Sequence, residues 1–226
     1  MTKKIISFSL WGDNPKYTVG AIKNALLAQI IYPEWICRFY IGNDVPQHIR
    51  NQLDDLNAEI MEMGDSGWNG MFWRFFAADS YDIVICRDTD SRLNLRERVA
   101  VDEWLKSGKD FHIMRDHPYH AIEILGGMWG ARNGILKGIE GMITNYDKGD
   151  YDNKHQVDQN FLREIVYPIV NNSSFVHDEF FDKSPFPDNA PARTKLNFVG
   201  NAFTENDKMI TDEDFILEKQ RREHGI

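Results

Sequence analysis

The chain has 226 residues, 42% apolar and 27% charged, the make-up of one globular domain with a full core. Its net charge of −9 excludes nucleic acid as a main partner, because binding to a phosphate backbone needs a basic patch. No window approaches the ~18 apolar residues of a membrane span, and the first apolar run breaks at Trp11-Gly12-Asp13, so the N-terminus reads as a strand rather than a signal peptide and the protein as cytoplasmic.

In chain order, Lys4 to Leu10 predicts the first strand. Asn14-Pro15 opens a helix, with Asn as N-cap and Pro at its first position. Val19, Ile22, Leu26 and Ile30 recur at helical spacing and predict the face that packs on the sheet. Pro33 ends this helix and Trp35 to Ile41 forms a second strand. Pro46 starts a second helix, with Ile49, Leu53 and Leu56 on one side, and Glu59 to Met63 is a short third strand. The order β-α-β-α-β is that of a doubly wound nucleotide-binding half. No Gly-x-Gly-x-x-Gly follows the first strand, which argues against a dinucleotide site. In Met71-Phe72-Trp73-Arg74-Phe75-Phe76 a single cation sits in an apolar helical run and requires an anionic partner, either a structural carboxylate, Asp88 or a ligand phosphate.

The stretch from Asp82 to Arg92 is the most informative. Ile83-Val84-Ile85-Cys86 is a short apolar, β-branched run of the kind buried on both faces of a sheet, and it ends in Asp88-Thr89-Asp90. Ligands of open α/β sheets bind beyond the carboxyl ends of strands, and two carboxylates there suit a hard divalent cation together with substrate phosphates. A plain acidic turn fits the same triplet equally well. Two further Asp-x-Asp triplets have other contexts: Asp150-Tyr151-Asp152 reads as a solvated turn, and Asp212-Glu213-Asp214 as the acidic first turn of a helix.

Arg96 to Ser107 predicts an amphipathic helix carrying Val99, Val101 and Trp104, closed by Gly108. Phe111 to Met114 is a strand ending in Arg115-Asp116-His117-Pro118. The glycines of Gly126-Gly127-Met128-Trp129-Gly130 mark either a bulge or a close approach of backbone to a ligand. Ile135 to Tyr146 and Val157 to Ile169 read as helices, the latter starting near Asp158-Gln159, which is ordinary for a capped helix. Phe175 to Asp178 is a strand with His177 near its end, a residue more often structural than ligating. Ser184 to Lys195, with three prolines, reads as a long surface loop and a candidate lid. Leu196 to Val199 is a candidate last strand, and Thr211 caps a terminal helix. Cys37 and Cys86 both fall in predicted strands and read as small buried hydrophobes.

Several of these stretches, in this order, resemble a metal-dependent GT-A-fold glycosyltransferase with the Asp-x-Asp motif, of the small kind found in bacteria and large DNA viruses, including the chlorella-virus type. They are Ser9-Leu10-Trp11-Gly12, Met71 to Phe75, Arg87 to Leu93, Met114 to His120, Gly126 to Gly130, Asp158 to Leu162 and Phe198 to Gly200. The resemblance implies a single α/β domain over residues 1–203, with a Rossmann-like, mixed but mostly parallel sheet flanked by helices. Its nucleotide-binding half would be about 1–93 and its donor-sugar and acceptor half about 94–203, followed by a C-terminal helix, 204–226. It implies transfer of a sugar from a nucleotide-diphosphate sugar, with UDP as the expected nucleotide, to a hydroxyl of a glycan or other acceptor, with retention expected. Asp88, Asp90 and His177 would hold Mn²⁺ or Mg²⁺, with His117, His120 and His155 as competitors for the histidine's role. Leu10, Trp11 and Gly12 would lie beside base and ribose. Arg74 and Arg87 would neutralise phosphate or brace the aspartates, and Asp116, Gly126 and Gly127 would face the donor sugar. Asp158-Gln159 would lie near the anomeric carbon.

Two other classes compete. A phosphatase with an aspartate nucleophile also places Asp-x-Asp after a buried strand, but in its first core strand, whereas more than 80 residues precede Asp88. A non-catalytic nucleotide-sugar or carbohydrate-binding module would keep the same pocket.

Overall fold

The computed structural model describes residues 3–65, 67–79, 83–132, 134–146, 156–181, 184–195 and 197–211. Among the described residues there are seven strands: β1 (Lys4–Leu10), β2 (Ile36–Ile41), β3 (Glu59–Glu62), β4 (Ile83–Cys86), β5 (Phe111–Arg115), β6 (Trp129–Ala131) and β7 (Ser174–Asp178). They form one sheet in the order β3-β2-β1-β4-β6-β5-β7. Every pairing is parallel except those of β6, which runs antiparallel to β4 and β5. The expected mixed, mostly parallel α/β sheet is therefore present. Six α-helices among the described residues accompany it: α1 (Pro15–Ile31), α2 (Gln47–Asp55), α3 (Leu95–Ser107), α4 (Ile139–Asn145), α5 (Val157–Phe161) and α6 (Tyr167–Val170). A 3₁₀ segment, Gly67–Asp79, precedes β4, and a π-helical stretch, Leu162–Val166, joins α5 to α6.

Alternation along the strands divides the core between the two faces of the sheet. Ile5 packs with Phe72, Phe75, Trp129 and Phe161 on one face, while Ile6 packs with Phe39, Tyr32 and Trp104 on the other. Each such fully buried Ile or Phe stabilises the fold by about 1.5–3 kcal/mol. The N-caps behave as their chemistry requires: Asn14 Oδ1 accepts from Lys16 N, and Asn94 Oδ1 from Glu97 N, each at 3.0 Å. Gly108 ends α3 with φ +75°, a conformation that an L side chain resists.

Four local expectations change. The buried face of α1 is not Val19, Ile22, Leu26 and Ile30 but Thr18, Ala21, Asn24, Ala25 and Ala28, with Ile30 78% exposed. Small residues win because the helix lies close against the loop after β4, and a Cβ on Gly20 would stand 2.1 Å from the Thr89 carbonyl oxygen. Residues 135–138, expected to be helical, are turns, because Gly138 takes φ +84° at the start of α4. The described part of the expected last strand is an isolated bridge between Asn197 and Thr194 followed by a turn. Residues 204–211, the start of the expected 204–226 helix, hold turns and an isolated bridge, and its remainder beyond Thr211 lies outside the described residues.

No helix among the described residues is long and apolar enough to cross a membrane.

Candidate functional site

Chain direction alone gathers the site. Because β1 and β4 are parallel neighbours, their carboxyl ends lie side by side and bring Leu10, Trp11 and Gly12 next to Asp88 and Asp90. Antiparallel β6 begins where β4 ends, so Gly126-Gly127 reach the same edge. The start of α5 adds Asp158 and Gln159, and the 3₁₀ segment adds Arg74. Together they open on a cleft of about 620 Å³, the size of a small-molecule site.

Arg74 is the hub of the cleft floor. Its backbone is fixed from both sides by β1: the Ser7 hydroxyl donates to Arg74 O at 2.7 Å, and Arg74 N donates to Ser9 Oγ at 2.8 Å. Its guanidinium, 7% exposed, donates to Asp158 Oδ2 at 2.9 Å and to the Gly126 carbonyl at 3.2 Å, and lies 3.3 Å from Asp88 Oδ1. Burial opposes its charge, but the carboxylates of Asp88 and Asp158 outweigh burial and hold it firmly protonated. The Asp88 carboxyl is raised from its ordinary value, first by desolvation and then by Asp90 and Asp158, with Arg74 opposing. Such a carboxylate gains from an added cation.

Asp90 is engaged from the other side by Lys16 Nζ at 2.8 Å, reaching over from the first turn of α1. Asn24 in α1 also shapes the loop, donating to the carbonyls of Thr89 (3.2 Å) and Ser91 (2.9 Å) and accepting from Leu93 N (3.0 Å). Sequence reading missed Lys16 and Asn24. The available signal was topological: the helix after β1 packs over the end of β4, so polar residues in its first turns face that loop.

The two adjacent glycines are close-approach positions rather than a bulge. A Cβ on Gly127 would stand 2.1 Å from Asp88 Oδ2, and one on Gly126 2.5 Å from Arg74 Nη2 and 2.8 Å from Asp158 Oδ2. The turn backbone before β6 thus forms the bed of the acidic and basic side chains.

Three expected site residues lie elsewhere. Arg87 is buried on the far side of β4, paired with Glu97 at 3.3 Å and donating to the carbonyls of Cys86 and Trp129. Side chains alternate along a strand, so Asp88 and Arg87 cannot share a face. Asp116 is fully buried and chelated by Arg96 (2.8 and 3.0 Å) and by Val199 N (2.8 Å). Its work is fastening: Arg96 also donates to Pro191 O and stacks on Phe186, and Arg193 donates to Asp116 O. The Pro185–Lys195 loop, expected as a lid, is tied down at these points.

His177, expected as a metal ligand, is likewise outside the cleft with both ring nitrogens engaged. Nε2 faces Glu103 Oε2 and Nδ1 faces His112 Nε2, each at 2.8 Å. An ionised carboxylate only accepts, so His177 donates from Nε2 and His112 from its own Nε2. This leaves His112 Nδ1 as a buried lone pair without a partner. Burial is the leading cause that holds both rings below the ordinary histidine value, with Glu103 opposing it for His177. The unfolded chain therefore takes up these protons more readily than the folded one. The stability from the neutral pair is complete above about pH 6.5 and falls as pH drops below it. We expect Tm to decline from pH 7 to 5 and to decline less in His112→Gln, whose amide still donates to His177 but does not titrate. Parallel calorimetric profiles for the two proteins would refute this account.

The donor set at the cleft floor fits a hard divalent cation. Asp88, its side chain 45% exposed, and Asp90 both present carboxylate oxygens to the cleft. Gly127 leaves the space in which Asp88 sits. Among the described residues no group of three or more His, Cys, Asp and Glu side chains is disposed to hold a metal ion by itself. Two carboxylates with substrate phosphates and water are the usual ligand set of Mg²⁺ and suit Mn²⁺ as well.

No protein-family model matches the chain, and no curated protein matches it. Solved structures do. Glucosyl-3-phosphoglycerate synthase from Mycobacterium tuberculosis, in complex with Mn²⁺, uridine-diphosphate-glucose and phosphoglyceric acid, is 13% identical over 60% of this chain and 58% of that one, with a TM-score of 0.42. Mannosyl-3-phosphoglycerate synthase from Rubrobacter xylanophilus is 14% identical over 60% of this chain and 55% of that one, also with a TM-score of 0.42. The chain matches less than two thirds of the length of either structure.

Proposed function

We propose that the protein is a glycosyltransferase of GT-A fold that takes a nucleotide-diphosphate sugar, with UDP as the expected nucleotide, and passes the sugar to a hydroxyl acceptor with retention. The observation that carries this reading is the convergence of Asp88, Asp90, Arg74 and Asp158 at the adjacent ends of β1 and β4, in the order of motifs that resembles that family.

In this reading Leu10, Trp11 and Gly12 flank base and ribose. Gly12, at φ +70°, turns the chain sharply away from β1 and keeps this edge of the cleft open. Asp88 and Asp90 would hold Mn²⁺ or Mg²⁺, which would supply Lewis-acid charge toward a diphosphate. Arg74 supplies a fixed positive charge beside them and orients Asp158. Lys16, presented by α1, is a second cation beside Asp90. Asp158 is a poor general base: one carboxylate oxygen is ion-paired with Arg74, and the other accepts from Gln159 N at 2.9 Å. That favours retention, in which the leaving phosphate itself guides the acceptor hydroxyl, over inversion with Asp158 as base. Gln159 is then placed beside the reacting sugar carbon.

The test is calorimetric titration of UDP, GDP and their glucose, galactose and mannose conjugates, with and without Mn²⁺. Mn²⁺-dependent binding of one nucleotide that disappears in Asp90→Ala is the expected result. Binding indifferent to both metal and Asp90 would overturn the reading. Tight binding without any donor hydrolysis would leave a non-catalytic module.

A further inference from the structure

We propose that His120 is a specificity-determining residue whose Nε2–H donates to an uncharged hydroxyl oxygen of a sugar bound in the cleft, on the side of Asp88 away from the β1 loop. The inference rests on the sugar-transfer reading above and deepens it.

The tautomer follows from one contact. His120 Nδ1 accepts a hydrogen bond from the backbone N–H of Asp116 at 3.1 Å. A neutral imidazole carries one proton, so that proton resides on Nε2. His120 lines the cleft, and among the described residues nothing takes the Nε2 proton. The ring is held in place: His120 N donates to His117 O at 2.9 Å, and Phe198 meets the ring edge-on with centroids 6.0 Å apart. Phe198 is itself stacked on His117 at 4.6 Å. This seat leaves one donor of a cleft-lining ring that no described protein group takes.

Its place in the sheet says which part of a ligand it meets. Along the sheet the order is β1, β4, β6, β5. The end of β1 carries Leu10 to Gly12, the end of β4 carries Asp88 and Asp90, and His120 follows β5. With the base at β1 and the phosphates at β4, the sugar and its acceptor fall on the β5 side.

The same hydrogen bond excludes two other roles. Nε2–H has no lone pair for a metal. A cation on Nε2, with Nδ1 still accepting from Asp116, would require an imidazolate. For the same reason Nε2 cannot act as a base. Burial, then the neighbouring His117 and Arg193, push the His120 pKa down to about 3, so the ring stays neutral near pH 7. A neutral donor suits a hydroxyl, whereas an anionic group would favour a charged ring.

Two substitutions separate the functions of the ring nitrogens. His120→Asn retains an oxygen that accepts from Asp116 N but loses the far donor. His120→Gln retains a far amide donor. Histidine ¹⁵N spectra of the wild type should show Nε2 protonated and Nδ1 bare; the opposite tautomer would overturn the proposal. Calorimetry with Mn²⁺ compares UDP with UDP-glucose, UDP-galactose and GDP-mannose, and then titrates methyl glucosides onto the UDP-loaded protein. We expect His120→Asn to weaken one sugar-bearing ligand about tenfold, with unchanged affinity for the bare nucleotide and recovery in His120→Gln. Loss on the sugar nucleotide identifies the donor's hydroxyl, and loss on the methyl glucoside the acceptor's. Equal sugar affinity in wild type and His120→Asn would overturn the proposal. If no nucleotide binds the wild type at all, the transferase reading fails, while the tautomer and the direct sugar titration still decide the role of His120.

Discussion

Arg74→Met is expected to destabilise the protein by about 3–5 kcal/mol, the usual cost of removing one partner from a buried ion pair. The guanidinium lies between Asp158, whose side chain is 8% exposed, and Asp88. Without it, the Asp88 and Asp158 carboxylates face each other and Asp158, the more buried of the two, has lost the guanidinium it pairs with. For a chain of this size each kcal/mol lowers Tm by about 2–4 °C, so a fall of roughly 6–20 °C should be read by calorimetry. Added Mn²⁺ should recover part of this loss through Asp88 but not the part due to Asp158. The double variant Arg74→Met/Asp158→Leu should regain most of the stability, because an apolar pair of similar volume replaces the buried charges. It should not regain nucleotide binding, which separates the scaffold role of Arg74 from its role toward phosphate. A loss below about 1 kcal/mol in the single variant would place the pair among solvent-screened surface bridges and remove Arg74 as the hub of the site.

Local patterns were strong enough to place most elements. β1, β2, β4 and β5 are short apolar runs bounded by Gly, Pro or Asp, and Asn14, Asn94 and Gly108 cap where their side chains or dihedral freedom require. Asp88 and Asp90 were legible because a buried strand ended in them, and Arg74 because a cation in an apolar run must find an anion. What failed depended on facing surfaces. The buried face of α1 could not be read from hydrophobicity, since the proximity of the Thr89 carbonyl selects alanines there and pushes Leu26 and Ile30 outward. The resemblance puts Arg87 beside the phosphate or the aspartates, yet its side chain turns to Glu97 on the opposite face. Asp116 follows the last residue of β5 and His177 lies one before the end of β7, but their partners, Arg96, His112 and Glu103, come from α3 and β5. No single sequence shows that those elements surround them. The same blindness hid Lys16, a residue with no motif of its own that becomes a site residue only when α1 is laid over the end of β4.

Gly127→Ala should remove the site while leaving the fold. Its added methyl would stand 2.1 Å from Asp88 Oδ2 and 2.5 Å from Asp88 Cγ, distances that a side chain can relieve by rotating. It would also stand 2.9 Å from Asp88 N, which belongs to the backbone and cannot rotate away. The cheapest response is for the Asp88 carboxylate to turn out of the cleft floor and for the start of β6 to shift slightly from β4. Overpacking of this kind costs about 1–3 kcal/mol, so the variant should still fold. Cation affinity, read by calorimetry with Mn²⁺ in the presence of UDP, should fall by about ten- to a hundredfold, as when the support of a metal ligand is lost. Gly126→Ala makes a useful contrast, because the atoms nearest its methyl are the ends of the Arg74 and Asp158 side chains. It should disturb their ion pair more than the cation site. Gly141→Ala, in α4 with nothing within 4 Å of the added methyl, should be neutral or slightly stabilising. If Gly127→Ala bound Mn²⁺ as the wild type does, Asp88 would not be the ligand that the strand end presents, and the cation would have to be sought away from the β1–β4 edge.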